Sequence, residues 1–198
     1  MDEGYIKFKA EWKKKASIDS SKIQDLIHFR NELYHLGLIG QYPDGIGFGN
    51  ISQRISRWDH FYISASATGG VKTAKSRHFS EVTSVQLRTN QIACEGPLIA
   101  SSESMTHAAI YRANPELKVV MHVHNLELWN QNLYQYPTTP PDIPYGTPQM
   151  AFSMMDEVQK KPEGGIIFMA GHEEGFVAYG KTFPSTLQFL IDLKSENP

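Results

Sequence analysis

The sequence predicts an α/β fold in which helices cover the faces of a mixed β-sheet. Segments with apolar residues at helical spacing alternate along the chain with short apolar segments of strand length, which is typical of layered α/β domains. Two pairs of these short segments, near Asn50 and near His172, are joined by brief turns as in hairpins. A length of 198 residues suits one domain with its own core. We therefore expect a single domain over residues 1–198, with residues 1–16 as an N-terminal extension.

The individual elements follow from local patterns. The predicted helices span residues 17–37, 101–115, 126–136, 146–161 and 182–194. The predicted strands span residues 51–55, 61–66 and 118–125, together with two strands within 164–180 that break at 172–175. Residues 76–103 have weak periodicity and predict only small strands and loops, and the proline-rich residues 136–148 predict no regular structure.

Signals at the helix ends support these boundaries. Gly37 suits the end of the first helix, and Ser101 or Ser102 can cap the start of the second. Pro115 closes the second helix, because the residue before a proline disfavours the helical region. The basic run at residues 13–15 is short and lies near acidic residues, so it predicts the solvated end of a helix rather than a nucleic-acid site.

Composition excludes several classes of function. A formal net charge of −2 gives no long-range field for capturing nucleic acid. No window approaches the ~20 apolar residues of a membrane span, and the N-terminal residues lack the apolar core of a signal peptide. Cys94 is the only cysteine, so an internal disulfide is impossible and a reducing, cytoplasmic location is expected.

Two histidines lie two positions apart in MHVHN, residues 121–125, within a predicted strand. Positions two apart on a strand point to the same face, so His122 and His124 can fill two corners of a tetrahedral metal site. They can equally be strand histidines that hydrogen-bond to neighbours or solvent. His172 is the candidate third ligand, because it follows an apolar strand just before a turn. The remaining histidines are expected at the surface or in helix packing: His28, His35, His60, His78 and His107.

Neutral hydrogen-bond donors recur in the segments GFGNIS, SATGG and SSES. A helix N-terminus and glycine-containing turns favour an anion such as phosphate, although each segment alone is an ordinary turn or cap. The candidate donors are Asn50, Ser52, Thr68, Gly69, Ser101 and Ser102. Glu103 is expected in the first turn of the second helix, where it either stabilises the helix dipole or acts as a general base beside a metal.

With these motifs the sequence resembles the class II aldolase/adducin family, which includes the L-fuculose-1-phosphate and L-ribulose-5-phosphate-type enzymes. The matching pieces run in family order from about Asp19 to Leu193 and are GNIS, SATG, SSESMTHAAIYRANPELKVVMHVHN, YGTPQMA and GHEEGFVAYGKT. The resemblance implies a three-layer α/β/α sandwich around a mostly antiparallel sheet. It also implies a homotetramer with active sites at subunit interfaces.

The resemblance further implies a metal site and an activity. Zn²⁺ or a similar divalent ion would bind His122, His124 and His172, with Glu103 as the catalytic acid/base. A substrate phosphate would be held by Asn50, Thr68, Gly69, Ser101 and Ser102. The expected reaction is carbon–carbon cleavage of a small sugar phosphate or related hydroxy-carbonyl compound through a metal-stabilised enediolate. Two alternatives share the resemblance: a methylthioribulose-1-phosphate-type dehydratase, and an adducin-like assembly module without turnover.

The sequence departs from the family pattern in four places. The span from Asn125 to YGTP is short, and the C-terminal end stops soon after the last predicted helix, so the segments that supply tyrosines near the substrate in the family are not matched. The other two departures lie in segments of the candidate site. The family usually has glycine directly after its third histidine, whereas HEEG places Glu173 and Glu174 between His172 and Gly175. This departure either moves the ligand or adds a carboxylate to the site. Many members also have threonine or serine ahead of the Gly-Asn pair, where this chain has GIGFGN. We expect the site to differ from that of the family at these two places.

Overall fold

The structure is a computed structural model that describes residues 6–56 and 59–196. Residues 1–5 of the predicted N-terminal extension therefore lie outside the described residues. The helices are α1 (Gln24–His35), α2 (Ser104–Ala113), α3 (Leu126–Asn132), α4 (Pro148–Lys160) and α5 (Phe183–Glu196). The strands are β1 (Lys9–Lys14), β2 (Gly40–Gln41), β3 (Gly47–Phe48), β4 (Asn50–Arg54), β5 (Phe61–Ser64), β6 (Phe79–Gln86), β7 (Gln91–Gly96), β8 (Val119–His124), β9 (Thr138–Thr139), β10 (Gly165–Met169) and β11 (Gly175–Gly180).

Within the described ranges, nine strands form one sheet in the order β1-β7-β6-β5-β4-β8-β11-β10-β9. The outermost pairs, β1 with β7 and β10 with β9, are parallel, and the pairs between them are antiparallel. Strands β2 and β3 form a separate small hairpin. The mixed sheet with helices confirms the predicted fold class.

The core is divided by the sheet into two apolar clusters. One contains residues of α2 and α4, and the other contains residues of α1 and α5. On the central strand β8, Val120 lies in the first cluster, whereas Met121 and Val123 lie in the second. Because side chains alternate between faces along a strand, His122 and His124 lie on the face that α2 and α4 cover.

The N-terminal segment corrects one prediction. Lys13 and Lys14 lie in the exposed edge strand β1, paired in parallel with β7 from Lys9 opposite Gln91 onward, so the predicted helix end is wrong. The strand depends on a partner about eighty positions away, which a local charge pattern does not reveal. Lysines on an exposed edge also disfavour pairing with other chains.

Three other elements differ from expectation. Strand β6 has eight residues and β7 has six, so residues 76–103 are more regular than predicted. The short strand β9 lies in the proline-rich connection predicted to be irregular. Helix α2 begins at Ser104, so Glu103 occupies the N-cap position rather than the first turn, and neither Ser101 nor Ser102 is the cap residue. None of the described helices is both long and apolar enough to span a membrane.

Candidate metal centre

The three candidate ligands come from two segments that sheet pairing brings together. His122 and His124 lie on the same face at the end of β8, and His172 lies in the turn between β10 and β11. Strand β11 pairs antiparallel with β8, with Gly175 opposite His124. The turn that carries His172 therefore lies beside the end of β8.

The imidazoles of His122, His124 and His172 form a compact buried group. One ligand atom from each lies within 4.8 Å of the others. Ring centroids are separated by 4.9 Å for His122 and His124, by 5.0 Å for His122 and His172, and by 4.8 Å for His124 and His172. All three side chains are buried. Three imidazoles grouped in this way can supply three ligands to one ion, whose bonds to nitrogen are near ~2.0–2.1 Å, and leave a fourth position open to substrate.

Electrostatics favour the neutral form of His122 and His124. Burial, followed by the neighbouring imidazoles of His124, His172 and His107, holds the pKa of His122 well below its ordinary value. Burial and then His172 lower the pKa of His124 in the same way. Neutral imidazoles retain the lone pairs that a metal ion needs, whereas protonated ones would repel it.

The residues present fit a divalent ion. His122 Nε2 is buried and has no hydrogen-bond partner among residues 6–56 and 59–196. A Cβ at Gly175 would lie 3.0 Å from Cγ of His172 and 3.2 Å from Nε2 of His122, so the glycine leaves space that a side chain would take from the imidazoles. Both observations match a site built around a cation that contacts His122 Nε2.

Asn50 lies beside one of the candidate metal ligands. It is the register partner of His122 across β4 and β8, and its side-chain nitrogen lies 3.2 Å from Nδ1 of His122. With a metal on Nε2, the Nδ1 proton needs an acceptor, and the Asn50 amide supplies one when its oxygen faces the ring. Asn50 therefore lies where it can orient His122.

His107 lies closer to the site than the sequence indicated. It is fully buried on α2, and its Nδ1 lies 2.6 Å from Oγ of Ser52, which in turn lies 2.7 Å from the hydroxyl of Tyr111. Burial lowers the pKa of His107 to about 3, so this ring is also neutral. The hydrogen bond places Ser52, a candidate anion donor, in a buried polar network between the sheet and α2.

Tyr145 packs against His172, and Lys7 packs against Tyr145. The Tyr145 ring stacks on His172, with centroids 4.4 Å apart and planes at 24°. The Nζ atom of Lys7 lies 3.7 Å from the centroid of the same Tyr145 ring, a cation–π contact. The N-terminal segment, which carries no motif of the site, thus contacts a tyrosine that packs on a candidate ligand.

Glu103 is nearly fully buried at the N-cap of α2, the helix packed on the face of the sheet that carries His122 and His124. One of its carboxylate oxygens accepts a hydrogen bond of 2.6 Å from the Thr106 hydroxyl. His107 follows one helical turn later and lies near enough to lower the pKa of His122. The helix therefore holds Glu103 on the face of the sheet that carries His122 and His124.

The candidate phosphate donors lie in strand β4 and in two adjacent loops, and all are buried. Thr68 and Gly69 lie in the turn after β5, and Ser101 and Ser102 precede α2. A bridge between Ala65 and Ala100 brings these two loops side by side. The two loops that carry candidate donors therefore lie together, and Asn50 lies beside His122.

The buried side chain of Arg30 donates hydrogen bonds to the backbone of the turn at residues 68–71. Sequence patterns did not single out this residue. Its buried guanidinium donates to the carbonyl oxygens of Thr68 at 2.6 Å and Gly69 at 2.9 Å, and also to that of Val71. Burial lowers the pKa of Arg30 to about 10. Carbonyls that point toward Arg30 fix the orientation of the turn that carries the candidate donors.

Replacing Arg30 with leucine is expected to lower the free energy of unfolding by about 2–4 kcal/mol, because carbonyl acceptors lose their charged donor in a buried position. Urea unfolding of the Arg30→Leu variant measures this change. The matched control is Arg77→Leu at an exposed arginine. A loss below about 0.5 kcal/mol, the range of ordinary surface substitutions, would contradict the role of Arg30 as a clamp.

The HEEG departure leaves His172 within the histidine group and adds a carboxylate nearby. Glu173 is exposed, whereas a carboxylate oxygen of Glu174 lies 4.0 Å from Nδ1 of His124. The sequence left two outcomes open, a displaced ligand or an added carboxylate, and the structure has the added carboxylate.

Comparisons with known proteins agree with this architecture. A family model described as Class II Aldolase and Adducin N-terminal domain matches residues 24–195. No curated protein matches the chain in sequence.

Solved structures include several with the same fold. YgbL from Klebsiella pneumoniae, a proposed aldolase/epimerase/decarboxylase, has 16% identity and a TM-score of 0.65, over 90% of this chain and 87% of that chain. L-fuculose 1-phosphate aldolase has 17% identity and a TM-score of 0.64, over 90% of this chain and 85% of that chain. An aldolase II superfamily protein from Pseudomonas syringae has 14% identity and a TM-score of 0.62, over 86% and 70% of the two chains.

Proposed function

Because this chain belongs to the class II aldolase and adducin family, we propose that it is a metal-dependent carbon–carbon lyase. Its proposed substrate is a small sugar phosphate or a related hydroxy-carbonyl compound. The observation that carries the proposal is the buried group of His122, His124 and His172, with Glu103 on the same side of the sheet. An assembly module without turnover has no need for three buried imidazoles whose ligand atoms lie within 4.8 Å of each other.

The proposed cofactor is Zn²⁺ or another divalent ion, held by the three histidines. Three imidazoles suit zinc and leave a coordination position open. When bound, the ion supplies positive charge that polarises a carbonyl and stabilises negative charge developing on its oxygen.

Glu103 is proposed as the group that moves the proton. It would accept the proton of the hydroxyl whose oxygen becomes the carbonyl of the released aldehyde, and would return it to the carbon left behind. A carboxylate of ordinary basicity suffices when charge on the other fragment is stabilised. Burial of Glu103 limits competition from water for that proton.

The proposed phosphate donors are Asn50, Thr68, Gly69, Ser101 and Ser102. Neutral hydroxyls and amides next to a helix N-terminus suit an anion. The neighbouring loops of Thr68 and Ser101 would hold the phosphate together with Asn50, which lies beside His122. The clamp by Arg30 supports the first of these loops.

The proposal is tested by incubating the zinc-loaded protein with a panel of phosphorylated and free ketoses. A carbon–carbon lyase releases an aldehyde, whereas a dehydratase of the methylthioribulose-1-phosphate type gives a product lighter by one water. Mass spectrometry and an aldehyde assay distinguish the two. If the protein retains one ion per chain and yields neither product with any ketose of the panel, the result would contradict the lyase proposal.

Two broader features are also proposed. We propose a homotetramer with sites at subunit interfaces, which the mass in solution tests directly. The single buried Cys94 is compatible with a reducing, cytoplasmic setting, which we propose as the location.

A further inference from the structure

The turn between β10 and β11 carries two glutamates with different surroundings. Glu173 is exposed, whereas the side chain of Glu174 is only 16% exposed. The backbone of Glu174 has a φ of +67°, in the left-handed region, and its carbonyl accepts a hydrogen bond of 3.1 Å from the amide of Asn125. The turn is thus fixed against the end of β8, and Glu174 alone of this pair is directed toward the histidines.

A tyrosine hydroxyl lies between Glu174 and His124. The Tyr42 hydroxyl donates a hydrogen bond of 2.7 Å to Oε2 of Glu174 and lies 3.0 Å from Nδ1 of His124. The direct distance from Nδ1 to Oε2 is 4.0 Å, so the contact runs through the tyrosine. The Tyr42 ring is placed by Phe48, with centroids 4.7 Å apart, and by its position at the β2–β3 hairpin.

The hydrogen bonds that link Glu174, Tyr42 and His124 have one consistent arrangement of donors and acceptors. A phenol hydroxyl has one proton, and here that proton is given to the carboxylate. Toward His124 the hydroxyl can then only accept, so Nδ1 carries the proton of the neutral ring. Nε2 of His124 consequently keeps its lone pair, which is the form that binds a metal.

We propose that Tyr42 and Glu174 are positioning residues that fix the tautomer and orientation of His124 for metal binding. We call this set the Glu174–Tyr42–His124 relay. The inference rests on the proposed function, since it assigns a role at the same centre. Partners of this kind typically change metal affinity by about 10–100-fold.

The relay is specific to the residues of this chain. Its carboxylate comes from the HEEG segment, and its hydroxyl comes from Tyr42 in the loop before GIGFGN. The carboxylate thus belongs to a segment that departs from the family pattern, whereas Tyr42 precedes GIGFGN and packs on Phe48 of that segment. Both side chains lie near Nδ1 of His124.

The test is the dissociation constant for Co²⁺ and Zn²⁺, measured by chelator competition on the full chain. Tyr42→Phe, which keeps the ring against Phe48, and Glu174→Ala are each expected to weaken binding by about 10–100-fold. Glu174→Gln keeps an acceptor oxygen and should recover most of the affinity. The double variant should resemble either single variant, because both residues act through one hydrogen-bond chain. The matched controls are Glu173→Ala and Tyr134→Phe, both at exposed side chains.

A second measurement does not depend on the metal. Long-range ¹H–¹⁵N NMR on the metal-free protein should find the proton of His124 on Nδ1 in the wild type and a mixture of tautomers in Tyr42→Phe. Wild-type affinity and an unchanged tautomer in Tyr42→Phe would overturn the relay and leave the lyase proposal standing. A wild-type chain that binds neither ion would overturn both.

Discussion

Replacing His172 with alanine is expected to remove the bound divalent ion and abolish turnover. Two ligands from one strand cannot hold the ion alone, so affinity should fall by more than about 100-fold, above the cost of losing an outer partner. The protein should still fold, because His172 lies in a turn and the β8–β11 pairing does not depend on its side chain.

Elemental analysis of protein purified without chelators measures this effect. Wild type should carry about one ion per chain, as a site of this type does, and His172→Ala close to none. His35→Ala, the same change at an exposed histidine of α1, is the matched control. A His172→Ala variant with a full complement of metal would place the ion elsewhere and remove the main support for the lyase.

The second large effect is expected from Glu103→Gln. This variant should keep its metal and lose turnover by about 10²–10⁴-fold, the usual contribution of a positioned acid/base. Glutamine retains an oxygen that can accept the Thr106 hydrogen bond, so the start of α2 should be preserved. The loss should appear in kcat more than in KM, because the proton is moved only in the transition state.

Steady-state kinetics and metal content are measured on the same Glu103→Gln preparation. The control is Glu163→Gln, at an exposed glutamate. Undiminished kcat would remove Glu103 from the proton-transfer role. Loss of metal together with activity would assign Glu103 to the integrity of the centre instead.

Much of the fold could be predicted from local sequence. Strand alternation in MHVHN gave β8 and the shared face of two histidines, and helical spacing gave α1 and α4. The predicted short helix from residue 126 is present as α3. Failures occurred where distant pairing overrides local pattern, as in β1, which is fully exposed and forms against β7.

Only part of the candidate site could be predicted from the sequence, because some of its residues are recognisable only by their contacts with distant residues. The metal ligands and Glu103 lie in motifs, so their residue types and spacing pointed to them. Arg30 and Tyr42 lie in ordinary helix and loop segments, and nothing in their local sequence distinguishes them. Tyr145 opens the matching piece YGTPQMA, but nothing in that piece indicates a contact with His172. Their roles are visible only in the three-dimensional contacts. The guanidinium of Arg30 is buried against carbonyl oxygens, the hydroxyl of Tyr42 lies between a carboxylate and an imidazole, and the ring of Tyr145 stacks on His172.

The sequence by itself determined which chemistry was available: three imidazoles, a carboxylate and neutral donors, in an order that resembles one family. Only the tertiary structure decided that the rings of His122, His124 and His172 converge, and that Glu174 faces the group rather than solvent. The physical reason is that side-chain spacing along a strand is local, whereas convergence depends on the register between β8 and β11. That register depends on how both faces of the sheet pack against the helices, and these contacts join residues that are far apart in the sequence.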